Sequence, residues 1–230
     1  MLDSADRRRR AQEELSKTSI DWDFLDAIDG RLLRFPIPEY PANKVENLLG
    51  FHLMPGEIGA FMSHKKAWEL CIAAQKPTLI LEDDFVVLPD FELVIDYLLT
   101  SFHDWDLIRL QALRESGCEV IQDAESFSVV KNDVDALGCT AYIVKPAAAK
   151  ALLDAAQYIY EPIDHFIEHR SAHGKIFLAI KPYPVDISYS PTTVDRPERQ
   201  PVRGIRKAKR SIYRAIDRLI SDQPWFPRNI

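Results

Sequence analysis

Pro77-Thr78-Leu79-Ile80-Leu81-Glu82-Asp83-Asp84 is the stretch of the 230-residue sequence that decides the fold. Its first five residues form a short apolar run opened by proline, and such a run predicts a buried central strand. Three acidic residues follow immediately, at the carboxyl end of that strand. Ligands of open α/β sheets bind outside the carboxyl ends of the strands, so the same stretch predicts where a binding site lies.

The segments around this strand alternate between helical and strand patterns. Residues 57–75 place apolar side chains at three- and four-residue spacing, which predicts an amphipathic helix, whereas residues 31–56 carry four prolines and predict a long irregular surface segment. Further helices are predicted at 4–18, 91–102, 147–158 and 162–173, and further strands at 22–29, 106–110, 127–130, 140–144 and 176–180. This order predicts a single α/β domain with a central, mostly parallel sheet flanked by helices.

The composition is that of an ordinary globular protein. Hydrophobic residues make up 47% and charged residues 28% of the chain, which excludes collagen-like, disordered and disulfide-scaffold classes. No apolar run approaches ~18 residues and no apolar segment follows the charged N-terminus, so we expect neither a membrane span nor secretion. Three widely spaced cysteines indicate reduced thiols in the cytoplasm and no structural metal.

Charge is distributed unevenly along the chain. Residues 196–230 contain ten Lys/Arg and three Asp/Glu, a net charge of +7, which leaves −13 on residues 1–195. We therefore expect a globular domain at 1–195 and a separate basic tail at 196–230. An acidic body argues against nucleic acid as a partner.

The tail has a helical pattern. Arginines recur every four residues, and apolar residues recur every three or four. The arginines are Arg206, Arg210, Arg214 and Arg218, and the apolar residues are Ile205, Ala208, Ile212, Ile216 and Leu219. A basic amphipathic helix of this kind predicts peripheral association with the anionic cytoplasmic face of a membrane. The alternatives are that the apolar stripe docks on the protein's own core, or that the tail is a disordered basic segment.

The acidic triplet favours metal chemistry. Successive strand residues point to opposite sides, which places Glu82 and Asp84 on one face and Asp83 on the other. Two carboxylates suit Mg²⁺ or Mn²⁺, which keeps open positions for the oxygens of a diphosphate. The alternative is that the triplet only caps the next segment or pairs with surface Lys/Arg. Taken alone, the triplet fits a phosphotransferase, a nucleotidyltransferase or a sugar-nucleotide enzyme.

Five ordered motifs together resemble glycosyltransferase family 25, which includes lipooligosaccharide and collagen galactosyltransferases. They are Gly56-Glu57-Ile58-Gly59-Ala60-Phe61-Met62-Ser63-His64 followed by Trp68, Leu79 to Asp84, Asp106-Leu107-Ile108-Arg109-Leu110, Gly138-Cys139-Thr140-Ala141-Tyr142-Ile143, and Pro162-Ile163-Asp164. Leu2 to Arg8 and Ala27-Ile28-Asp29-Gly30 extend the resemblance, which covers roughly residues 2–190.

The resemblance implies a fold and a reaction. The fold would be GT-A-like, with one nucleotide-sugar-binding domain. The reaction would be a metal-dependent, inverting transfer of a hexose, galactose above all, from a UDP-sugar such as UDP-galactose. The acceptor would be a saccharide of lipooligosaccharide, lipopolysaccharide or capsule.

The resemblance also suggests roles for individual residues. Glu82 and Asp84 would hold the metal, and Asp83 would contact the ribose or sugar of the donor. The other donor-binding candidates are Arg7, Arg8, Ala27, Asp29, Ser63, His64 and Arg109. Arg7 and Arg8 suit phosphate because guanidinium offers two parallel donors. Arg109 would pair with the triplet or hold the donor.

An inverting displacement requires a base that removes the proton of the acceptor hydroxyl. Asp164 is the first candidate, because it lies at a predicted helix start, where the helix dipole favours the ionised form. Glu57 is the second candidate.

Two departures from the family pattern keep other functions open. Family members usually carry a short apolar strand before the Leu-Asp-Ser segment, and most of that strand is absent ahead of Leu2. Gln111 stands where the family has an acid after Arg-Leu. The alternatives are a degenerate member that acts as a binding or scaffold module and a metal-dependent phosphotransferase or nucleotidyltransferase. The sequence leaves the oligomeric state open.

Overall fold

A computed structural model describes residues 5–188 and 204–220 of the chain. The α-helices are α1 Ala5–Leu15, α2 Ala42–Leu49, α3 Pro55–Ala74, α4 Phe91–Thr100, α5 Pro146–Ala155, α6 Ile163–Glu168, α7 Arg170–His173 and α8 Gly204–Ile220, and a 3-10 turn spans Gly30–Leu32. The strands are β1 Thr78–Leu81, β2 Phe85–Val87, β3 Leu107–Arg109, β4 Cys118–Asp123, β5 Ser128–Asn132, β6 Ala141–Val144, β7 Phe177–Lys181 and β8 Val185–Ile187.

Six of the strands form one sheet in the order β1-β6-β3-β7-β5-β4, and β2 and β8 form a separate antiparallel ribbon. The α/β class predicted from the sequence is confirmed, with helices on both faces of the sheet. Its parallel character is only partial, because β3 and β7 are the one parallel pair among the described strands of the sheet. The sheet is therefore mixed, since β6 inserts between β1 and β3 and runs antiparallel to both.

The sheet separates two hydrophobic cores. Alternate residues of a strand point to opposite faces. Tyr142 and Val144 of β6 accordingly join one core with α2, α3, α5 and α6, while Ala141 and Ile143 join the other with α1 and α4. Both cores contain fully buried aromatic side chains, including Trp68 on the first face and Phe91 on the second. These two packed layers hold the strand ends in place.

Helix α3 is the longest described helix and runs beside the predicted site. Pro55 opens it, which suits the first helical turn because proline lacks an N–H to leave unpaired. Glu57 completes a capping box by accepting a hydrogen bond from the Met54 N–H at 2.8 Å. A Cβ at Gly59 would lie 2.6 Å from the Ile28 carbonyl oxygen, so a side chain at this position would separate α3 from residues 28–30.

Three local predictions differ from the structure. β1 is an edge strand of the described sheet and is half-buried, where the sequence predicted a central buried strand. Residues 22–29 form no strand, and most of them are exposed. Residues 31–56 contain helix α2, whose Val45 and Leu48 are buried in the core. The predicted start at Ser4 lies outside the described residues.

Helix α8 packs against α2 through its arginines. Arg214 Nε donates to the Leu48 carbonyl at 2.8 Å, and Arg210 Nη1 reaches the Leu49 carbonyl at 3.5 Å. These contacts place cations at the C-terminal end of α2, where the helix dipole is negative. Ile212 and Ile216 remain 58% and 44% exposed. Where its side chains are described, the apolar stripe of α8 therefore does not dock on the core.

Within the described residues, no helix is both long enough and apolar enough to cross a membrane.

Candidate active site

The acidic triplet connects the large sheet to the small ribbon. Glu82 directly follows β1, and its N–H donates to the Thr140 carbonyl at 2.8 Å just before β6. Asp84 directly precedes β2, and its carbonyl accepts from the Ser188 N–H at 2.6 Å. Backbone bonds at both ends thus hold the three carboxylates at the end of β1, as the sequence predicted.

Asp84 lies in an electrostatically unfavourable position for a carboxylate. Burial, and next the charge of Glu82, raise the pKa of Asp84 to about 6, although the cation of Arg7 acts in the opposite direction. Its Oδ1 atom is buried and has no hydrogen-bond partner among the described residues. A buried carboxylate oxygen in a negative surrounding is a fitting ligand for a hard divalent cation.

Arg7 of α1 lies over the triplet. Its Nη2 atom is 2.7 Å from Asp83 Oδ1 and 3.7 Å from Asp84 Oδ2. The predicted phosphate-binding arginine is thus at the site, where it pairs with the acids. Arg8, the next residue, faces the opposite direction, since its Nη1 is 2.8 Å from Asp26 and its guanidinium carbon lies 4.2 Å from the centre of the Phe24 ring.

Glu82 also contacts a buried polar cluster formed by His64 and Cys139. His64 Nε2 lies 3.3 Å from Glu82 Oε1, and the Cys139 thiol donates to the same oxygen at 3.1 Å. His64 and Cys139 are only 5% and 6% exposed. Burial, with the nearby charges of Glu82 and Asp164, raises the pKa of the Cys139 thiol well above its ordinary value. The thiol therefore stays protonated beside Glu82.

Asp164 belongs to the same neighbourhood. It lies in the first turn of α6, after Pro162, and its Oδ1 accepts a hydrogen bond from the His165 N–H at 3.0 Å. Its charge contributes to the raised pKa of Cys139, so Asp164 and Glu82 both act on one thiol. Asp164 is thus linked to the acidic triplet through Cys139, whose thiol donates to Glu82.

Arg109 binds the loop that precedes β6. It is 1% exposed, and its Nη2 lies 2.5 Å from Glu168 Oε1 at the end of α6. Its Nη1 donates to the Leu137 carbonyl at 2.5 Å and to the Gly138 carbonyl. The structure therefore gives Arg109 a structural role, where the sequence suggested a pair with the triplet or a donor contact.

The second candidate base, Glu57, is also engaged in structure. Its carboxylate caps α3 by accepting from the Met54 N–H, and the residue is 8% exposed. Ser63 likewise links two elements, because its hydroxyl donates to the Gly59 carbonyl at 2.7 Å and accepts from the Ile28 N–H at 2.8 Å. Ser63 thereby fixes the segment that contains Ala27 and Asp29.

Ala27 and Asp29 both lie on the segment that Ser63 holds against α3. Ala27 is exposed. Asp29 caps the 3-10 turn and pairs with Arg31, and the hydrogen bond from Arg31 lowers the pKa of Asp29. These two residues are placed beside α3 by Ser63 and Gly59.

Two sets of side chains in the described structure can be considered for a cation. Glu82 and Asp84 offer carboxylates at the strand end, and the buried Oδ1 of Asp84 supports this set. His64, Glu82 and Cys139 form a second set, with one potential ligand atom each and all three within 4.8 Å of one another. The second set contains a soft sulfur and suits a different class of metal from Mg²⁺ or Mn²⁺.

Sequence reasoning missed three residues near the site. Cys139 and Tyr142 lie in the motif Gly138 to Ile143, but the sequence predicted no role for them. It predicted none for Glu168 either. The signal available for Cys139 was its position next to a predicted strand start in that motif, whereas the partner of Arg109 follows only from the tertiary structure.

Comparisons with known proteins identify a family that the chain resembles. The family model described as "Glycosyltransferase family 25 (LPS biosynthesis protein)" matches residues 1–167. The chain is 27% identical over 178 residues to procollagen galactosyltransferase 2 of Homo sapiens, covering 70% of this chain and 28% of that protein. It is 27% identical over 156 residues to the lipooligosaccharide biosynthesis protein lic2B of Haemophilus influenzae, covering 64% and 57%.

A further relative is described as non-catalytic. The chain is 28% identical over 175 residues to a probable inactive glycosyltransferase 25 family member 3 of Rattus norvegicus, covering 70% of this chain and 30% of that protein. The aligned region thus spans under a third of the collagen-type relatives and somewhat over half of the bacterial one.

Proposed function

The chain belongs to glycosyltransferase family 25, and from this premise we propose that it transfers a hexose from a UDP-sugar, with galactose as the sugar and UDP-galactose as the donor. The observation that carries this proposal is the acidic triplet at the end of β1. There a buried oxygen of Asp84 has no hydrogen-bond partner among the described residues, and the guanidinium of Arg7 lies close to the same carboxylate. Acids and a guanidinium in one place suit a metal-bound diphosphate.

Glu82 and Asp84 are the proposed ligands of a divalent cation, Mn²⁺ or Mg²⁺. When bound, such a cation supplies positive charge against the negative charge that develops on the departing UDP. Arg7 is proposed to contact the diphosphate, since it already lies over the acids on the flexible arm of a long side chain. Asp83 would then be released from its pair with Arg7 and become available to the ribose or sugar.

Asp164 is the proposed base. In an inverting displacement it would take the proton of the acceptor hydroxyl as that oxygen attacks the anomeric carbon from the face opposite UDP. Its place at the start of α6 and its proximity to Cys139 support this role. Glu57 is the weaker candidate because its carboxylate already caps α3.

The test is UDP release from a panel of UDP-sugars with Mn²⁺, in the presence of oligosaccharide acceptors. We expect UDP-galactose to be the best donor. Asp164→Asn should lower turnover roughly 100-fold to 10,000-fold, the contribution typical of general base catalysis, without weakening donor binding. Asp154→Asn is the matched control, because Asp154 is an exposed aspartate whose carboxylate pairs with Lys150 on the surface of α5. Equal turnover of both variants would contradict the base assignment.

For the acceptor we propose a saccharide of lipooligosaccharide, lipopolysaccharide or capsule. The family model's description as an LPS biosynthesis protein and the lipooligosaccharide biosynthesis relative of Haemophilus influenzae support this choice. Transfer to a hydroxylysine-containing collagen peptide at the rate of transfer to lipooligosaccharide would contradict it.

We further propose that residues 1–195 form the transferase domain and that the tail at 196–230 holds it on the cytoplasmic, anionic face of a membrane. Ile212 and Ile216 lie two residues from Arg210 and Arg214, on the opposite side of α8. The arginines face α2 while the isoleucines remain exposed. Exposed Lys209, three residues before Ile212, adds positive charge beside that apolar face.

Sedimentation with vesicles tests this surface. We expect binding to vesicles rich in phosphatidylglycerol and little binding to phosphatidylcholine vesicles. Ile212→Ser with Ile216→Ser should abolish binding, whereas the exposed control Ser211→Ala should leave it intact. Unchanged binding of the double variant would overturn the proposal.

A non-catalytic role is the second candidate, and the probable inactive relative is the observation that favours it. Binding of UDP-galactose without any transfer, across the full acceptor panel, would support that reading. Family membership favours glycosyl transfer over the phosphotransferase and nucleotidyltransferase alternatives.

A further inference from the structure

A buried chain of hydrogen bonds ends at Glu82. Trp68 Nε1 is 2.9 Å from the Tyr142 hydroxyl, that hydroxyl is 2.8 Å from His64 Nδ1, and His64 Nε2 is 3.3 Å from Glu82 Oε1. Trp68 and Tyr142 are fully buried, and His64 is nearly so. The His64 and Tyr142 rings also stack, with an interplanar angle of 19°.

The direction of each bond in this chain follows from the chemistry of its members. The indole N–H of Trp68 can only donate, so the Tyr142 oxygen accepts there. The single proton of the Tyr142 hydroxyl is then left to donate to His64 Nδ1. Because Nδ1 accepts, the ring proton of neutral His64 lies on Nε2 and points at Glu82.

The opposite direction would leave a buried proton without an acceptor. If His64 donated from Nδ1, the Tyr142 oxygen would accept twice and its own hydroxyl proton would have no acceptor in this chain. A buried donor without an acceptor is destabilising, because it loses its hydrogen bond to water and gains none in the fold. Burial also raises the pKa of Tyr142 well above its ordinary value, so the hydroxyl keeps its proton.

Glu82 Oε1 thus accepts two hydrogen bonds. His64 donates from Nε2, and the Cys139 thiol donates to the same oxygen. Two donors on one oxygen fix the rotation of the carboxylate.

We propose that His64 is a positioning residue whose Nε2–H, set by Tyr142 and Trp68, orients Glu82 for the site that it forms with Asp84. The hydrogen-bond direction stands by itself, whereas the consequence for cation binding rests on the proposed function. In this role His64 acts through Glu82 and contacts neither the sugar donor nor the saccharide acceptor.

The first test is the tautomer of His64, read from long-range ¹H–¹⁵N NMR of the metal-free full chain. The expected result is a neutral ring protonated at Nε2 with an accepting Nδ1. Tyr142→Phe removes the donor to Nδ1, so the ¹⁵N shift of Nδ1 should move to that of a nitrogen that accepts no hydrogen bond, while the proton stays on Nε2 beside Glu82. A ring protonated at Nδ1 in the unchanged protein, or an unaltered Nδ1 shift in Tyr142→Phe, would overturn the proposal.

The second test is cation affinity, measured by calorimetry with Mn²⁺ alone. His64→Leu should weaken binding roughly 10-fold to 100-fold, as the loss of a residue behind a metal ligand typically does. His64→Gln should retain most of the affinity, because a glutamine amide places a donor near the position of Nε2. His173→Gln is the matched control, since His173 is also buried but bonds to the Ile167 carbonyl.

These results separate the two proposals. An Nε2–H tautomer combined with no Mn²⁺ binding would contradict the proposed metal site and leave the hydrogen-bond direction standing. Equal Mn²⁺ affinity in His64→Leu and the unchanged protein would overturn the positioning role. A shift of the Nε2 resonance typical of direct coordination on addition of Zn²⁺ or Mg²⁺ would also overturn it, because His64 would then be a ligand.

Discussion

The negative charge of Asp84 destabilises the folded, metal-free protein. Its carboxyl, with an ordinary pKa of 3.8, keeps a proton up to about pH 6 when folded, because burial raises its pKa. Ionised Asp84 therefore destabilises the fold above that pH, by about 3 kcal/mol at full effect. As the pH falls from about 6 to about 4, this cost disappears.

The prediction is that Asp84→Asn raises the melting temperature in EDTA at about pH 7.5, and that the gain shrinks towards about pH 4. Scanning calorimetry of both proteins across this range measures the difference. Asp83→Asn is the control, since it loses the 2.7 Å pair with Arg7 and should be no more stable than the unchanged chain. A constant gain for Asp84→Asn at all pH values would contradict the buried charge as the cause.

His173 gives a pH dependence of the opposite sign. Its Nδ1 accepts from the Lys175 N–H and its Nε2 donates to the Ile167 carbonyl, so both nitrogens are used in the neutral ring. Burial lowers the pKa of His173 from 6.5 to about 4. Stability from this residue is present above about pH 6.5 and is lost, by about 3 kcal/mol, as the pH falls to about 4.

His173→Gln should therefore melt at a lower temperature than the unchanged protein near neutral pH, and the deficit should narrow below about pH 5. Differential scanning fluorimetry at matched ionic strength measures this. A deficit that grows on acidification would show that the ring is charged in the fold. Because His173 and Asp84 act in opposite directions, only comparisons between variants separate them.

At the scale of the elements, the contact of α3 with residues 28–30 positions the predicted donor segment. A Cβ at Gly59 would meet the Ile28 carbonyl oxygen at 2.6 Å and the Gly30 nitrogen at 2.8 Å, and both are backbone atoms that cannot move aside alone. We expect Gly59→Ala to cost about 1–3 kcal/mol and to weaken UDP binding. Gly174→Ala, at φ +71° with no atom within 4 Å, should destabilise the fold without affecting UDP binding.

The Arg109–Glu168 pair connects β3 to α6 and to the loop before β6. Glu168→Gln leaves the buried guanidinium without its countercharge, so we expect a loss of about 3–5 kcal/mol in the free energy of unfolding. Arg109→Met combined with Glu168→Met should cost less than the two single changes added together. Urea unfolding of the unchanged chain, Arg109→Met, Glu168→Met and the double variant measures this coupling, and strict additivity would contradict it.

The elements also show which predictions a sequence can support. The helix at 57–75 and the strand before Glu82 were predicted because apolar spacing and a proline boundary are local signals. The edge position of β1 was not predicted, because it depends on β6 pairing between β1 and β3, and 59 residues of chain separate β1 from β6. Residues 22–29 carry aromatic residues that suggest a strand, yet Arg8 stacks on Phe24 and the segment packs as a loop on α1 and α3.

At the scale of the whole molecule, the site draws on five elements. α1 supplies Arg7, the end of β1 the triplet, α3 His64, the start of β6 Cys139, and α6 Asp164. The motifs showed that these segments belong together, but only the tertiary structure shows that Arg109 faces Glu168 and that Glu57 caps α3. A sequence pattern names the residues of a site more readily than their partners.

The most direct measurement is calorimetry of UDP-galactose binding to the full chain, with Mn²⁺ and with EDTA. We predict binding with Mn²⁺, loss of most affinity in EDTA, and the same loss in Asp84→Asn with Mn²⁺ present. The control Asp106→Asn removes a carboxylate that pairs with Lys175 and should bind as the unchanged chain does. Equal binding in EDTA, or full Mn²⁺-dependent binding by Asp84→Asn, would contradict a metal-assisted donor site at the end of β1.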